Sequence, residues 1–590
     1  MTASLLLHPA LIFLAGALLL PLLRGKLQSA WLLLLPVAGF AALLKIAPGT
    51  EISARFLNLD LVLFRADRLS LLFGYIFTII SFITAIYVLH VKRSAEYLAG
   101  FLYAGAALGA VFAGDLFTFF VCWEMLTIGS ILLIWLRRTK AAQGAGFRYL
   151  LVHSFGGLLL LAGILMYSRE QHSLSFGEIG LSSLSTWLIF LGLGVNCAWP
   201  LLHTWLTDAY PEATIGGTVF LSAFTTKTAV YALARAFPGT ELLIYIGATM
   251  TAFPIFFAVI ENDLRRVLAY SLVNQVGFMV VGIGIGTHLA INGAVAHAFN
   301  DIIFKGLLFM SMGAVLHRTG KINATDLGGL YKSMPWTAGF CIVGAASISA
   351  FPFFSGFVSK SMVMEAAGLK HLSGIWLVLL FASAGVFHHA GIKIPFFAFF
   401  SHDAGLQVKE APLNMLIAMG IAAALCIGIG SYPAPLFAIL PFQDVVYQPY
   451  HYSHLLSQTQ LLFFSALAFT LLLRSGIYPA EIRAINLDSD WLYRKGGRLF
   501  ATTCAVIFNG LNNLAERLLV KGAVGALCRF ARQGPANLAS LALTPYWRLR
   551  YRKAEAEKEN ARLHRSFTTG AAGLGIMAAG ITLYLLVFFL

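Results

Sequence analysis

Apolar stretches of about 20 residues recur from one end of this chain to the other, and that recurrence limits the fold more than any motif does. A helix rises about 1.5 Å per residue, so such a stretch matches the roughly 30 Å hydrocarbon core of a bilayer. Sixteen segments are legible: 4–23, 29–46, 69–90, 98–114, 116–136, 149–167, 184–203, 214–236, 239–260, 265–284, 288–316, 335–365, 374–400, 413–432, 459–476 and 569–590. Only 11% of the residues are charged, against about 25% in soluble domains. Soluble classes are excluded. Lipid offers no partner to an open backbone group, so the pattern predicts an all-α polytopic membrane protein. The first segment lacks a charged n-region and a small-residue cleavage site, and is read as a retained helix.

Basic residues orient the segments. Arg24 and Lys26 follow segment one, Lys92 and Arg93 segment three, and Arg137, Arg138, Lys140 and Arg148 segment five. Arg265 and Arg266 open segment ten, and Arg318 and Lys321 follow segment eleven. All lie on odd-numbered connections. The connection after segment seven, with Asp208 and Glu212, has neither lysine nor arginine. By the positive-inside rule the odd connections are cytoplasmic and the N-terminus is outside, in a cell membrane, most simply a bacterial inner membrane. The formal charge of +15 then reflects these loops rather than nucleic-acid binding. Six cysteines, at 122, 197, 341, 426, 504 and 528, form no CxxC pair, so neither disulfides nor a metal site are expected.

Residues 477–568 differ from the rest. They hold the basic stretch WRLRYRKAEAEKENARLHR (547–565) and the amphipathic stretch LNNLAERLLVKGAV (511–524). In the second, Leu511, Leu514, Ala515 and Leu518 share a face opposite Arg517 and Lys521, a pattern suited to lying along a membrane or along other helices. Parity places this arm on the cytoplasmic side, where it suits anionic lipid or a subunit contact better than nucleic acid.

Five charged side chains fall inside apolar segments: Glu124, Lys227, Lys305, Lys360 and Lys393. A charge at the centre of a spanning helix costs roughly 2.5–3.5 kcal/mol on insertion scales. One could be a static pair that holds the bundle together; five on five segments point to an ion pathway. Burial can lower a lysine and raise a glutamate by several pKa units, so both can exchange protons near neutrality. His297, Asp301 and Lys305 are spaced i, i+4, i+8 and share one helix face.

Two segments carry helix breakers: Pro200 in CAWPLLHTW, and Pro352 with Gly356 in SAFPFFSGF. Broken helices are tolerated in lipid where they line a cavity. Corresponding breaks in two halves suggest inverted repeats around a central pathway. Segments four to eight (98–236) and nine to thirteen (239–400) are the two half-channels. They are flanked by N-terminal helices (1–97), C-terminal core helices (413–476), the arm (477–568) and a final helix (569–590). In this register Lys227 matches Lys393, and Lys360 matches Asn196. GIGIG at 282–286 has no preceding strand and is not read as a nucleotide site. His388 and His389 read as a polar pair or proton relay rather than a metal site. No Ser-His-Asp pattern or P-loop is present, and no cofactor is expected.

DLFTFFVCWEMLTIGSILL, PLLHTWLTDAYPEA, FLSAFTTKTAVYALAR, ENDLRRVLAYSLVNQVGF, HAFNDIIFKGLLFMSMGAVLH and FPFFSGFVSKS resemble the antiporter-like subunits of respiratory complex I, membrane-bound hydrogenases and Mrp-type cation/proton antiporters. The resemblance spans about 60–435 and is nearest to the D-type chain of the Mrp antiporters. It implies fourteen core helices, two inverted five-helix repeats and a midplane chain of protonatable residues. Glu124 matches the family acid, Lys227 the central lysine, His297 and Lys305 the HAFxxxxFK helix, and Lys360 the lysine after the second break. Three positions depart from the pattern. Asn196 replaces a lysine, which leaves Glu124 without its usual cation or answering to Lys227. Asp301 replaces a histidine and is placed to pair with Lys305. Thr207 replaces a proline.

The resulting expectation is a proton-conducting subunit of a multisubunit Na⁺ or K⁺/proton antiporter, working with other membrane subunits and doing no covalent chemistry. A subunit of a redox complex, of the NADH:quinone oxidoreductase or hydrogenase type, is the alternative; there the chain is part of a translocase. A scaffold that has lost transport is the third.

Overall fold

The structure, a computed structural model, describes residues 8–56, 59–476, 482, 486–567 and 580–588. Helix starts follow short polar side chains that accept hydrogen bonds from otherwise unpaired backbone N–H groups. Two helices open the chain, α1 (Pro9–Leu19) and α2 (Gly25–Leu43). A short antiparallel hairpin follows, β1 (Glu51–Phe56) and β2 (Leu59–Arg65). This hairpin corrects the all-α expectation locally. Leu61 and Phe64, three residues apart on β2, are buried while Leu59 is exposed, and the stretch is too short and polar to span.

Asp67 then caps α3 (Arg68–Val88) in a reciprocal box with Ser70. α4 (Ser94–Phe112) leads to α5 (Leu116–Trp135), which Asp115 caps, and Thr139 caps α6 (Lys140–Gln171). Segment seven is interrupted: α7 (Leu184–Asn196) stops and α8 (Thr204–Ala209) resumes. Segment eight is also two pieces, α9 (Ile215–Ala223) and α10 (Thr225–Ala236), joined at Phe224. α11 (Leu242–Ile260), α12 (Leu264–Ile285) and α13 (His288–Thr319) come next. Segment twelve divides into α14 (Pro335–Ile348) and α15 (Ser355–Leu369). α16 (Ser373–Val386) continues through wide π-type turns at Phe387–Lys393 and Phe396–Phe400. α17 (Leu413–Ser431), α18 (Ala434–Ala438) and α19 (Tyr452–Arg474) complete this unit.

Among the described residues, eleven helices are long and apolar enough to cross a membrane. The chain is a multi-pass membrane protein whose described residues are mostly helical. α12 and α13 are buried nearly end to end, so the other helices wrap around them. Glycines set the closest approaches. A Cβ on Gly247 of α11 would lie 2.6 Å from the backbone N of Val281, and one on Gly277 of α12 would lie 2.7 Å from that of Thr251. Likewise a Cβ on Gly163 of α6 would sit 2.7 Å from Ile189 N on α7. Small residues let spanning helices meet backbone to backbone.

The connections sort onto two ends. Arg148 makes a two-pronged contact with Asp208 at 2.6 and 3.0 Å, Arg137 meets Glu212 at 3.5 Å, and buried Arg265 donates to Pro211 O at 2.9 Å. These are all odd-numbered connections. Even-numbered ones meet each other: Arg235 pairs with Asp67 at 2.7 Å, and Gly239 N donates to Ile283 O at 2.9 Å.

The chain divides into two compact units, Met1–Ser489 and Asp490–Leu590. The second contains α20 (Asp490–Ala515), a π-type stretch Glu516–Val524, α21 (Gly525–Arg550) and α22 (Lys553–Ser566). Most of the segment expected at 569–590 lies outside the described residues.

Candidate functional site

Each helix break has the same construction. α7 ends with Trp199 N donating back to Gly194 O at 3.2 Å, and α14 ends with Phe351 N donating to Ala346 O at 3.0 Å. Ala198 and Leu201 take positive φ of 60° and 69°, and Ala350 and Phe353 take 57° and 70°. Left-handed backbone is costly for residues with a Cβ, so two such pairs at the same spacing mark deliberate breaks. Pro200 and Pro352 lie between the members of each pair. Gly356 lies inside α15 rather than in the gap. An added Cβ there would come 1.9 Å from Ser347 O, so this glycine lets the two halves close up. This register also corrects one expectation. Asn196 stands two residues before the first break, opposite Ile348, whereas Lys360 lies beyond the second.

Breaks expose carbonyls, and lysines occupy them. Lys227 Nζ donates to Ser222 O at 3.0 Å, next to the interruption at Phe224. Lys360 Nζ donates to Ile348 O, the last carbonyl of α14, at 3.1 Å and sits 4.9 Å from the centre of the Phe278 ring. Lys393 Nζ meets Ala258 O, Val259 O and Glu261 O at 3.3, 2.6 and 2.7 Å, closing the C-terminus of α11. A cation at the negative end of a helix dipole is favourable. Lys305 Nζ donates to Leu268 O at 3.3 Å.

The central contact joins α10 to α13. Lys227 Nζ lies 2.5 Å from Asp301 Oδ2, with both side chains fully buried. The expected pairing of Asp301 with Lys305 is therefore replaced by a pairing across helices. Lys227 is likewise not the partner of Glu124. Lys305 and Lys360 both lie within electrostatic range of Asp301, and His297 within range of Lys227, Lys305 and Lys360. His297 is held between Ser359 Oγ at 3.1 Å and Gln275 Oε1 at 3.2 Å. His389 lies within range of Lys305 and Lys393. The structure thus gathers Lys227, His297, Asp301, Lys305 and Lys360 into one cluster. Lys393 stands beyond His389.

Glu124 lies apart from this cluster, against α6. A Cβ on Gly157 would fall 2.1 Å from Glu124 Oε1, and that oxygen has no hydrogen-bond partner among the described residues. The same holds for Thr226 Oγ1, Thr228 Oγ1 and Asn300 Oδ1. Buried polar atoms need partners, and bridging water is the usual supply.

Residues 113–388 match the family described as NADH:quinone oxidoreductase/Mrp antiporter, TM. That region is similar to the membrane subunits the family describes. Hydrogenase-4 component B of Escherichia coli is 28% identical over 66% of this chain and 64% of its own length. The D component of the Na(+)/H(+) antiporter of Alkalihalophilus pseudofirmus is 32% identical over 49% of this chain and 64% of its own. Both matches stop short of two thirds of the relative. The membrane-bound sulfane sulfur reductase, an archaeal respiratory membrane complex, contains a chain of the same fold, with a TM-score of 0.69, 24% identity, and coverage of 87% of this chain and 95% of that one.

Against the family pattern, Thr207 is buried and its hydroxyl donates to Thr204 O at 3.3 Å, inside the short helix α8. Sequence reasoning missed two groups. His153 sits in the apolar run RYLLVHSFGGLLLL and is buried; the signal that found the lysines would have found it had histidines been counted as well. Asp488 gives no such signal. Its Oδ2 meets His203 Nε2 at 3.0 Å and Tyr270 Oη at 2.8 Å, beside the first break. Burial works against its charge, but the contacts from His203, Tyr270 and Ser489 N–H outweigh this and hold the carboxyl below its ordinary range.

Proposed function

We propose that this chain is the proton-conducting membrane subunit of a multisubunit Na⁺ or K⁺/proton antiporter. One observation carries the reading: a solvent-free Lys227–Asp301 pair lies within electrostatic range of Lys305, and Asp301 within range of Lys360. Asp301 stands between ammonium groups on two helices. A shift of its carboxylate from Lys227 toward Lys305 raises the proton affinity of one amine and lowers that of the other, so a proton moves on. His297 and the waters bridging the unpartnered polar atoms carry it along. His389 extends the path toward Lys393, and Glu124 supplies it from the first half. Residues 98–236 and 239–400 act as the two half-channels. Cation movement belongs to the partner membrane subunits, driven by this proton flow. The N-terminus lies outside, and the basic arm meets anionic lipid on the cytoplasmic face of the cell membrane.

The test is Lys227→Ala in everted membrane vesicles holding the whole assembly. Proton-coupled cation exchange should fall to background while the chain remains in the membrane at its normal level. Exchange at the wild-type rate overturns the reading.

The match to hydrogenase-4 component B favours a second reading, in which the same path is driven by a redox partner. Flavin or iron–sulfur absorption in the purified assembly selects it; absence of both with cation exchange intact selects the antiporter.

A further inference from the structure

The first half-channel holds Glu124 and Lys227 but no charge between them, because α7 carries Asn196 there. His153 fills this gap. It is 1% exposed, and the Asn196 side chain on α7 lies within loose hydrogen-bonding reach of its ring. It projects from α6 one turn before Gly157, and residues four apart share a helix face. Gly157 is the residue on which the Glu124 carboxylate rests. His153 and the glycine beneath that carboxylate thus share one face of α6, one turn apart. Across the helix interface it faces the Asn196 amide.

Its other surroundings lead toward Lys227. The ring stacks on Tyr149 at 3.9 Å and meets the Trp205 edge at 4.5 Å. Tyr149 Oη lies 3.5 Å from Thr225 Oγ1, and Tyr103 Oη lies 2.5 Å from the same hydroxyl. Thr225 opens α10, two residues before Lys227. Cys197, next to Asn196, is within electrostatic range of Lys227.

Glu124 Oε1 on α5 and Thr226 Oγ1 on α10 have no hydrogen-bond partner among the described residues, and the His153–Asn196 pair joins α6 to α7. Leaving a buried polar atom unpaired costs about 1–3 kcal/mol. Bridging waters remove that cost. Imidazole is the group that can use a chain of such waters, because it accepts a proton on one nitrogen and releases another from the second. An amide cannot do this, and a tyrosine, with its ordinary pKa of about 10, holds its proton too tightly.

We propose that His153 is the proton relay of the first half-channel, passing protons between Glu124 and Lys227. The proposal rests on the proton-pathway reading above. It assigns the step to α6, on a residue outside the lysine–aspartate cluster.

The experiment uses everted vesicles containing the full assembly, with Lys227→Ala as control. His153→Asn should cut proton-coupled exchange at least tenfold with the chain at its normal level in the membrane. Combining it with Glu124→Gln should add no further loss beyond the slower single variant, as for two steps in series. Asn196→Lys, which places a titratable group across from residue 153, should restore part of the rate in the His153→Asn background. Wild-type exchange by His153→Asn beside an inactive Lys227→Ala overturns the relay and leaves the pathway reading standing. Wild-type exchange by Lys227→Ala overturns both. Should His153→Asn fail to reach the membrane, His153→Gln carries the same test; a tenfold loss supports the relay and a wild-type rate overturns it.

Discussion

Lys227 Nζ and Asp301 Oδ2 are 2.5 Å apart, on different helices and with no exposure to solvent. Breaking a buried ion pair by removing one partner typically costs about 3–5 kcal/mol, because the other charge is stranded. Removing both charges is often close to neutral. Asp301→Asn should therefore lower the unfolding temperature in detergent and abolish exchange. Lys227→Met with Asp301→Asn should recover most of the stability and none of the exchange. Thermal unfolding of the single and double variants measures the coupling; additive losses would show that the two groups act independently.

Gly157 is where Glu124 meets α6. A methyl group there would fall 2.1 Å from Oε1 and 3.0 Å from Cδ of Glu124. The obstructing atoms are the flexible end of a side chain, so the carboxylate swings away instead of the helices separating. Gly157→Ala should change stability by less than about 1 kcal/mol, since alanine is also the better helix former. Exchange should drop about tenfold or more. Unfolding temperature and vesicle transport, taken together, separate the two effects; parallel losses in both would mean that the glycine serves packing alone.

Asp488 anchors residues 486–489 to the first broken helix through His203 and to α12 through Tyr270. Its carboxyl is held below its ordinary range, so the sign is that of a depressed acid. The contact contributes fully above the unfolded value of about 4, and is lost as pH falls through the lower folded value. Hydrogen exchange at 486–489, corrected for the intrinsic pH effect, should be slow from neutrality to about pH 5 and accelerate in stronger acid. Asp488→Asn should remove the pH dependence. Slow exchange that persists at low pH in the wild type would rule out the carboxylate as the anchor.

Much of this could be read from residues alone, for identifiable reasons. A chain in lipid must close its own backbone hydrogen bonds, so apolar length locates helices: the segment expected at 116–136 is α5, Leu116–Trp135, and the one expected at 265–284 is α12, Leu264–Ile285. Ionisable groups are costly in such segments, so Lys227, Lys305 and Lys360 stood out before any fold was known. The interruption at Phe224, immediately before Lys227, had no breaker to announce it; the two threonines after it are compatible with either a helix or a break. The hairpin at 51–65 was too short to register against the spanning segments around it.

Hydropathy and helical period, then, were enough to establish a polytopic helical protein and to put His297, Asp301 and Lys305 on one face of one helix. They could not say which group on another helix that face would meet. Asp301 turned to Lys227 rather than to Lys305, and Glu124 came to rest against Gly157 of α6. Period relates residues along a single helix, whereas contacts between helices depend on where glycines allow backbones to touch and where breaks expose a carbonyl for an ammonium group to hold.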